Sequence, residues 1–331
     1  MNGGSKMKLA IFGAGMIVRD FLDMVKDIPE IELKALLSSE RSLEKNTALI
    51  DSHHIEGIYT DIDDILKHSD IDTVYVALPN HLHYEYSKKA LKAGKHVICE
   101  KPFTLTLSEL EELEALALSK DLVLIEAITN QYFVNYDQLK RDLSDIGVLK
   151  IIECNYSQYS SRYDAFKEGT ILPAFNPKMG GGSLMDINIY NIHLVVGILG
   201  APNRVEYYAN IERDIDTSGM LVMDYGDIKA VCIGSKDTSA PIKSTFQGTD
   251  GSLVVNGPTN TLDNYTKVIR KQTDETIDLK VHPHRMYEEF IAFNRIIKEH
   301  DMDTVREKLT HSKIVMDIVD KALDGAGIKL G

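Results

Sequence analysis

Positive charge is in short supply in this chain. Lys and Arg number 37 against 50 Asp and Glu, a formal net charge of -13. No segment concentrates Lys or Arg, which argues against a nucleic-acid partner. Cysteine is scarce too. Cys99, Cys154 and Cys232 are too few and too far apart for a disulfide framework or a zinc site, so three reduced, mostly buried thiols are expected. No run approaches the ~18–20 apolar residues of a membrane helix, so no membrane partner is expected. Residues 1–6 lack the apolar core of a signal peptide and read as a short flexible leader. There is no internal repeat, no low-complexity stretch and no His/Cys cluster that suggests a metal. Together these absences point to a cytoplasmic protein. What is present is ordinary: 331 residues, 44% hydrophobic, enough for about two domains with their own cores.

Apolar runs alternate with helical patterns over the first part of the chain. Residues 8–12, 31–37, 73–78, 96–99 and 122–126 read as strands. Between them, 16–26 carries Val18, Phe21, Leu22 and Val25 at helical spacing. Residues 62–67 form a short helix that Asp61 can cap, 84–93 a helix stopped by Gly94, and 108–119 a helix with Ser108 as cap and Glu111 at the capping-box position. Continuously apolar strands alternating with helices imply a parallel sheet covered on both faces. After about residue 130 the pattern changes. Residues 151–159, 205–211, 219–225, 229–234, 242–248, 252–256 and 265–270 read as strands joined by short turns, which implies a mostly antiparallel open sheet. Helical segments at 286–300 and 304–323 close the chain. The fold class is therefore α/β: a doubly wound parallel sheet over 1–127, then an α+β domain over 128–331 for substrate binding and oligomerisation. Its terminal helices are free to pack back on the first domain.

The segment Gly13-Ala14-Gly15-Met16-Ile17-Val18 follows a strand and opens a helix, the context a dinucleotide fingerprint requires. One glycine allows the tight turn, and the next lets the backbone approach a pyrophosphate at the helix N-terminus. Val18 stands where a third Gly or Ala is usual. Some twenty residues on, the next strand ends in Ser38-Ser39-Glu40-Arg41. Small polar groups with an arginine, Ser39 and Arg41, suit the 2′-phosphate of NADP(H); Glu40 would instead serve the ribose of NAD(H). The balance leans to NADP(H).

Three further motifs follow in order. Ala77-Leu78-Pro79-Asn80-His81-Leu82-His83 ends one apolar strand, and Cys99-Glu100-Lys101-Pro102 ends the next. Gly180-Gly181-Gly182-Ser183-Leu184-Met185-Asp186-Ile187-Asn188-Ile189-Tyr190-Asn191-Ile192-His193 opens a helix in the second half. Together they strongly resemble the glucose–fructose oxidoreductase / inositol dehydrogenase (Gfo/Idh/MocA) family, in the tyrosine-bearing form seen in dimeric dihydrodiol dehydrogenase. The resemblance runs through the first half and past His193, then thins. It implies a Rossmann domain, an NAD(P)-dependent oxidoreductase acting on CH–OH groups, and a catalytic lysine at Lys101.

The residues support a mechanism of their own. Ligands of open α/β sheets bind outside the carboxyl ends of the strands, where Leu78, Pro79, Asn80, Glu100 and Lys101 lie. Pro102 restricts Lys101 to an extended backbone, and an ammonium aimed at a substrate oxygen stabilises a developing alkoxide. Asp186 and Tyr190, four apart, share a helix face. Tyr190 can exchange a proton if a cation eases its ionisation; His193, three residues on, is the rival. Asp186 orients substrate. The resemblance puts Asn80 and His83 beside the nicotinamide ribose, although His83 can equally cap the helix that follows. Arg162 either reaches substrate hydroxyls or forms a structural ion pair. Asn130-Gln131-Tyr132 departs from the arginine-rich segment common in the family. The expected substrate is a sugar, polyol or related cyclic alcohol. A trans-dihydrodiol or dicarbonyl is the alternative, and a non-catalytic NAD(P)-binding sensor or scaffold a second one. An open sheet with an apolar face to cover implies a homodimer or homotetramer.

Overall fold

The computed structural model describes residues 6–331, so nearly all of the expected leader lies outside the described residues. The chain divides into two compact units. The first comprises Met1–Thr104, Ser108–Ala127 and Met286–Thr310, the second Leu105–Leu107, Ile128–Arg285 and His311–Gly331.

In the first unit, strands and helices alternate: β1 (Met7–Phe12), α1 (Met16–Val25), β2 (Ile31–Leu37), α2 (Leu43–His53), β3 (Gly57–Tyr59), α3 (Ile62–Leu66), β4 (Thr73–Val76), α4 (His83–Lys92), β5 (His96–Glu100), α5 (Leu107–Ser119) and β6 (Leu124–Ala127). The six strands form a parallel sheet in the order β3-β2-β1-β4-β5-β6, the doubly wound order of dinucleotide-binding domains. β1, β4, β5 and β6 are almost wholly buried, which explains their unbroken apolar runs. Asp61 caps α3 by accepting from the Asp63 N–H at 2.9 Å, and Gly94 ends α4 in the left-handed region (φ 77°). The start of α5 differs from expectation. It begins at Leu107, a residue of the second unit, rather than Ser108, and the Leu107 N–H is taken by Asp320 Oδ2 of that same unit at 2.9 Å.

The second unit contains α6 (Val134–Asp142), β7 (Leu149–Ser157), α7 (Ser161–Lys167), α8 (Ile189–Leu199) and the strands β8 (Arg204–Glu212), β9 (Ile215–Asp224), β10 (Lys229–Ser235), β11 (Lys243–Gly248), β12 (Gly251–Asn256), β13 (Tyr265–Ile269) and β14 (Glu275–Ile277). Its eight-stranded sheet runs β14-β13-β12-β11-β7-β10-β9-β8. All its pairings are antiparallel except β7 with β10. α8 is anchored on the sheet: Asn188 donates to the Cys232 carbonyl at 3.0 Å and Asn191 to that of Ile233 at 3.1 Å. The opposite face carries a register row Tyr208–Met220–Ile233, with Tyr208 and Met220 exposed. The last helices are α9 (Tyr287–Glu299), in the first unit, and α10 (Met302–Ala326), whose residues are shared between the two.

One expectation on hydropathy needs correction. The stretch Pro177–Leu199, which contains α8, is long and apolar enough to cross a bilayer. Within the chain, 72% of its most apolar window is buried, because this helix is the core element on which the open sheet closes. The three cysteines are buried free thiols.

Candidate active site

The glycine turn connects β1 to α1. Gly13 has φ 112°, and a Cβ there would lie 2.5 Å from the Ala77 carbonyl oxygen, so only glycine fits. At Gly15, the N-cap of α1, a Cβ would meet nothing within 4 Å. The turn thus packs tightly on one side and leaves a helix N-terminus open on the other, as a pyrophosphate requires. Ala14 and Ile17 are half-buried and Met16 is exposed. At the end of β2, Ser38 is buried and accepts from Asn46 Nδ2 at 2.9 Å, while Asn46 Oδ1 accepts from the Arg19 guanidinium at 3.3 Å. Ser39, Glu40 and Arg41 are exposed beside it.

The segment after β5 is held by buried side chains. Tyr75 donates to Glu100 Oε1 at 2.5 Å, and the Phe103 N–H donates to Glu126 Oε1 at 3.1 Å. His83 places Nδ1 2.8 Å from the Pro102 carbonyl oxygen and Nε2 2.7 Å from that of Leu78. The Lys101–Pro102 peptide is cis. Lys101 itself is half-buried, on a loop fixed at Glu100, Pro102 and Phe103. His83 is only 1% exposed. It braces the two strand-end loops instead of presenting a ring nitrogen to a ligand. Burial pushes its imidazole pKa down, against the opposing pull of the two carbonyls. Leu78 and Asn80 are half-buried and Pro79 exposed.

In the second unit, Gly182 has φ 107°, and a Cβ there would lie 2.2 Å from Asp216 Oδ1. Asp216 Oδ2 takes the Leu184 N–H at 2.6 Å and the Tyr207 hydroxyl at 2.7 Å. A π-helical turn (Leu184–Asn188) then leads into α8. Asp216 is fully buried, which pushes its carboxyl pKa up to about 6. Asp186 lies in the π turn and Tyr190 in the first turn of α8. Asp186 Oδ2 forms an ion pair with Lys236 Nζ at 2.7 Å. Tyr190 is buried to 7% exposure, its ring 6.4 Å from that of Tyr156. His193 turns inward: it is fully buried, with Nδ1 2.9 Å from His311 Nε2. Arg162 is exposed at the start of α7.

Asn130 and Gln131, which break the family's arginine pattern, are buried struts. They donate to the Tyr190 and His193 carbonyls at 2.8 and 2.9 Å. Sequence reasoning missed Asp216 and Lys236. The available signal for Lys236 was its place at the carboxyl end of an apolar strand, the same kind of place that drew attention to Lys101.

A six-stranded doubly wound sheet with an open helix N-terminus, a braced lysine loop and a second, open-sheet unit defines a nucleotide-dependent oxidoreductase class. The comparisons agree. Residues 7–128 match the model of the oxidoreductase family with NAD-binding Rossmann fold, GFO_IDH_MocA, and residues 142–254 that of the GFO/IDH/MocA C-terminal domain. Over 327 residues the chain is 33% identical to scyllo-inositol 2-dehydrogenase (NADP(+)) IolU of Bacillus subtilis, covering 97% of this chain and 98% of that one. It is 27% identical over 274 residues to trans-1,2-dihydrobenzene-1,2-diol dehydrogenase of Xenopus tropicalis, covering 77% and 81%. KijD10, a 3-ketoreductase from Actinomadura kijaniata solved with NADP and TDP-benzene, has the same fold, with TM-score 0.85, 23% identity, and coverage of 97% and 98%. The chain belongs to the GFO/IDH/MocA family and is an NAD(P)-dependent oxidoreductase acting on alcohols.

Proposed function

We propose that this enzyme interconverts a polyol, or a related sugar or cyclic alcohol, with its carbonyl, using NADP(H). The observation that carries this reading is the Lys101 loop. A surface lysine needs no scaffold, whereas this one sits on a segment tied down by Tyr75, His83 and Glu126. Gly13, Ala14, Gly15, Met16 and Ile17 would hold the pyrophosphate, with Leu78, Pro79, Asn80 and Glu100 beside the nicotinamide half. When bound, the cofactor gives or accepts the hydride. Lys101 stabilises the oxyanion. Tyr190 exchanges the hydroxyl proton, and Asp186 orients the substrate. With its ring nitrogen against His311, His193 is a poor rival for the acid. Arg162 is left for substrate hydroxyls at the rim.

The preference for NADP(H) is supported by Ser39 and exposed Arg41 at the end of β2, where a 2′-phosphate would meet a positive charge. Arg41→Ala is expected to weaken NADPH binding tenfold or more, about 1.4 kcal/mol, and to leave NADH binding unchanged in nicotinamide-fluorescence titrations. Equal weakening of both would reassign Arg41. We place the enzyme in the cytoplasm as a homodimer or homotetramer through the open sheet face, an arrangement favoured by exposed Tyr208, Met220 and Ile151.

The test of function is NADP+-dependent oxidation of scyllo-inositol and other polyols, with trans-dihydrobenzenediol as the alternative. Lys101→Ala should lower turnover at least 10²-fold, the scale of one oxyanion-stabilising group. Full activity of that variant on a confirmed substrate would overturn the mechanism. Turnover of the diol alone would move the substrate class.

A further inference from the structure

Lys236 is 2% exposed, yet it carries an ammonium. Nζ donates to the Ala174 carbonyl at 2.6 Å, lies 4.4 Å from the centre of the Phe175 ring, and reaches Asp186 Oδ2 at 2.7 Å. Its backbone is pinned on both sides: its N–H donates to the Thr217 carbonyl, and its carbonyl accepts from the Ser160 N–H, each at 2.9 Å. Asp186, by contrast, keeps 35% of its side chain exposed. The cation is buried and the carboxylate partly exposed, so Asp186 is the member of the pair open to a ligand.

A pair buried on one side is weak as a stability device. Desolvating an ammonium is costly, and apolar replacements of such pairs are often neutral or better. The arrangement does something that an apolar side chain could not do. It fixes Oδ2, and with it the plane of the carboxylate, on the π turn that precedes Tyr190. As the anionic half of an ion pair, Asp186 accepts hydrogen bonds and has no proton to donate.

We propose that Lys236 is a positioning residue of the reaction. It holds the Asp186 carboxylate in the orientation that receives a substrate hydroxyl, and so leaves proton exchange to Tyr190. This rests on the reading of Asp186 as the substrate-orienting group.

The test is a double-mutant cycle of Lys236→Met and Asp186→Asn in the full chain, with scyllo-inositol and NADP+ as probes. Each single variant should raise KM and lower kcat/KM about 10²-fold while NADPH binding stays unchanged. The double variant should be no worse than either, because both remove one device. Lys236→Arg should recover most of the loss. Multiplicative losses in the double variant, or wild-type kcat/KM in Lys236→Met, would overturn the proposal. If Lys236→Met does not fold, Lys236→Gln, which can still donate to Ala174, takes its place in the cycle. If the wild-type enzyme turns over no polyol, the substrate reading fails separately. The same cycle is then read with trans-dihydrobenzenediol and NADP+: a double variant no worse than either single one supports the pair, and multiplicative losses refute it.

Discussion

Asp216 gives the sharpest quantitative expectation. Its carboxyl is fully buried beside Gly182, accepts from the Leu184 N–H and the Tyr207 hydroxyl, and feels the charge of Lys236. Burial outweighs these favourable contacts, and its pKa rises from 3.8 to about 6. That displacement corresponds to about 3 kcal/mol. The sign follows from which state binds more protons. Between the two values the folded chain is protonated at Asp216 and the unfolded chain is not, so this group stabilises the fold at low pH, and its contribution is lost as pH rises through about 6. Between pH 4 and pH 7 the loss is about 2.5 kcal/mol. Asp216→Asn keeps an acceptor for Leu184 and Tyr207 but cannot titrate. The stability of wild type minus that of Asp216→Asn should therefore fall by about 2.5 kcal/mol from pH 4 to pH 7, a change in the Tm gap of roughly 3–4 °C for a chain of 331 residues. Taking the difference cancels every other titrating group. A gap independent of pH would refute the argument, and so would one that widens in favour of wild type as pH rises, the behaviour of a carboxylate held ionised.

Other perturbations should act through packing and strain. His83→Ala removes both carbonyl contacts of a fully buried ring and leaves a cavity; unfolding should be easier by about 3–4 kcal/mol. Because burial lowers the His83 pKa, its contribution is present above the ordinary imidazole range and fades as pH falls, so the wild-type advantage in urea melts should shrink on acidification. Gly13→Ala forces a Cβ to within 2.5 Å of the Ala77 oxygen at positive φ; a loss of at least ~2 kcal/mol is expected, together with weaker NADPH fluorescence enhancement. Phe290→Ala empties a fully buried position against Phe21, Tyr75 and Phe293, with centroids 4.5, 5.2 and 5.2 Å away, and should cost about 3–5 kcal/mol in thermal unfolding. A loss below ~1 kcal/mol would mean that α9 does not close this core.

Much of the first unit was legible because its signals are local. Buried parallel strands must be apolar throughout, and Asp61 and Gly94 mark helix ends through bonds that span only a few residues. The weak elements escaped for the complementary reason. β3 has three residues, and α2 buries only Asn46 and Leu49, too little for a periodic pattern. α6 was hidden because its buried positions include Asn135 and Asp142, which look like surface until their distant partners are known.

The same distinction divides the candidate site. Gly13, Lys101, Asp186 and Tyr190 stand in short motifs, because each belongs to a single strand end or helix start whose local spacing is visible in the sequence. The residues that hold them in place have no such local spacing. Asp216 meets Leu184 across 32 residues of sequence, Asn130 meets Tyr190 across 60, and Glu126 meets Phe103 across 23. A buried polar side chain is tolerated only where a partner completes it, and the chain supplies that partner through the fold, from any element that passes nearby. In sequence, Lys236 is one lysine among the 37 basic residues. Only burial to 2% exposure beside Asp186 separates it from the rest, and burial is a property of the folded sheet. The supporting shell of such a site is therefore found by asking which buried charges lack a structural excuse.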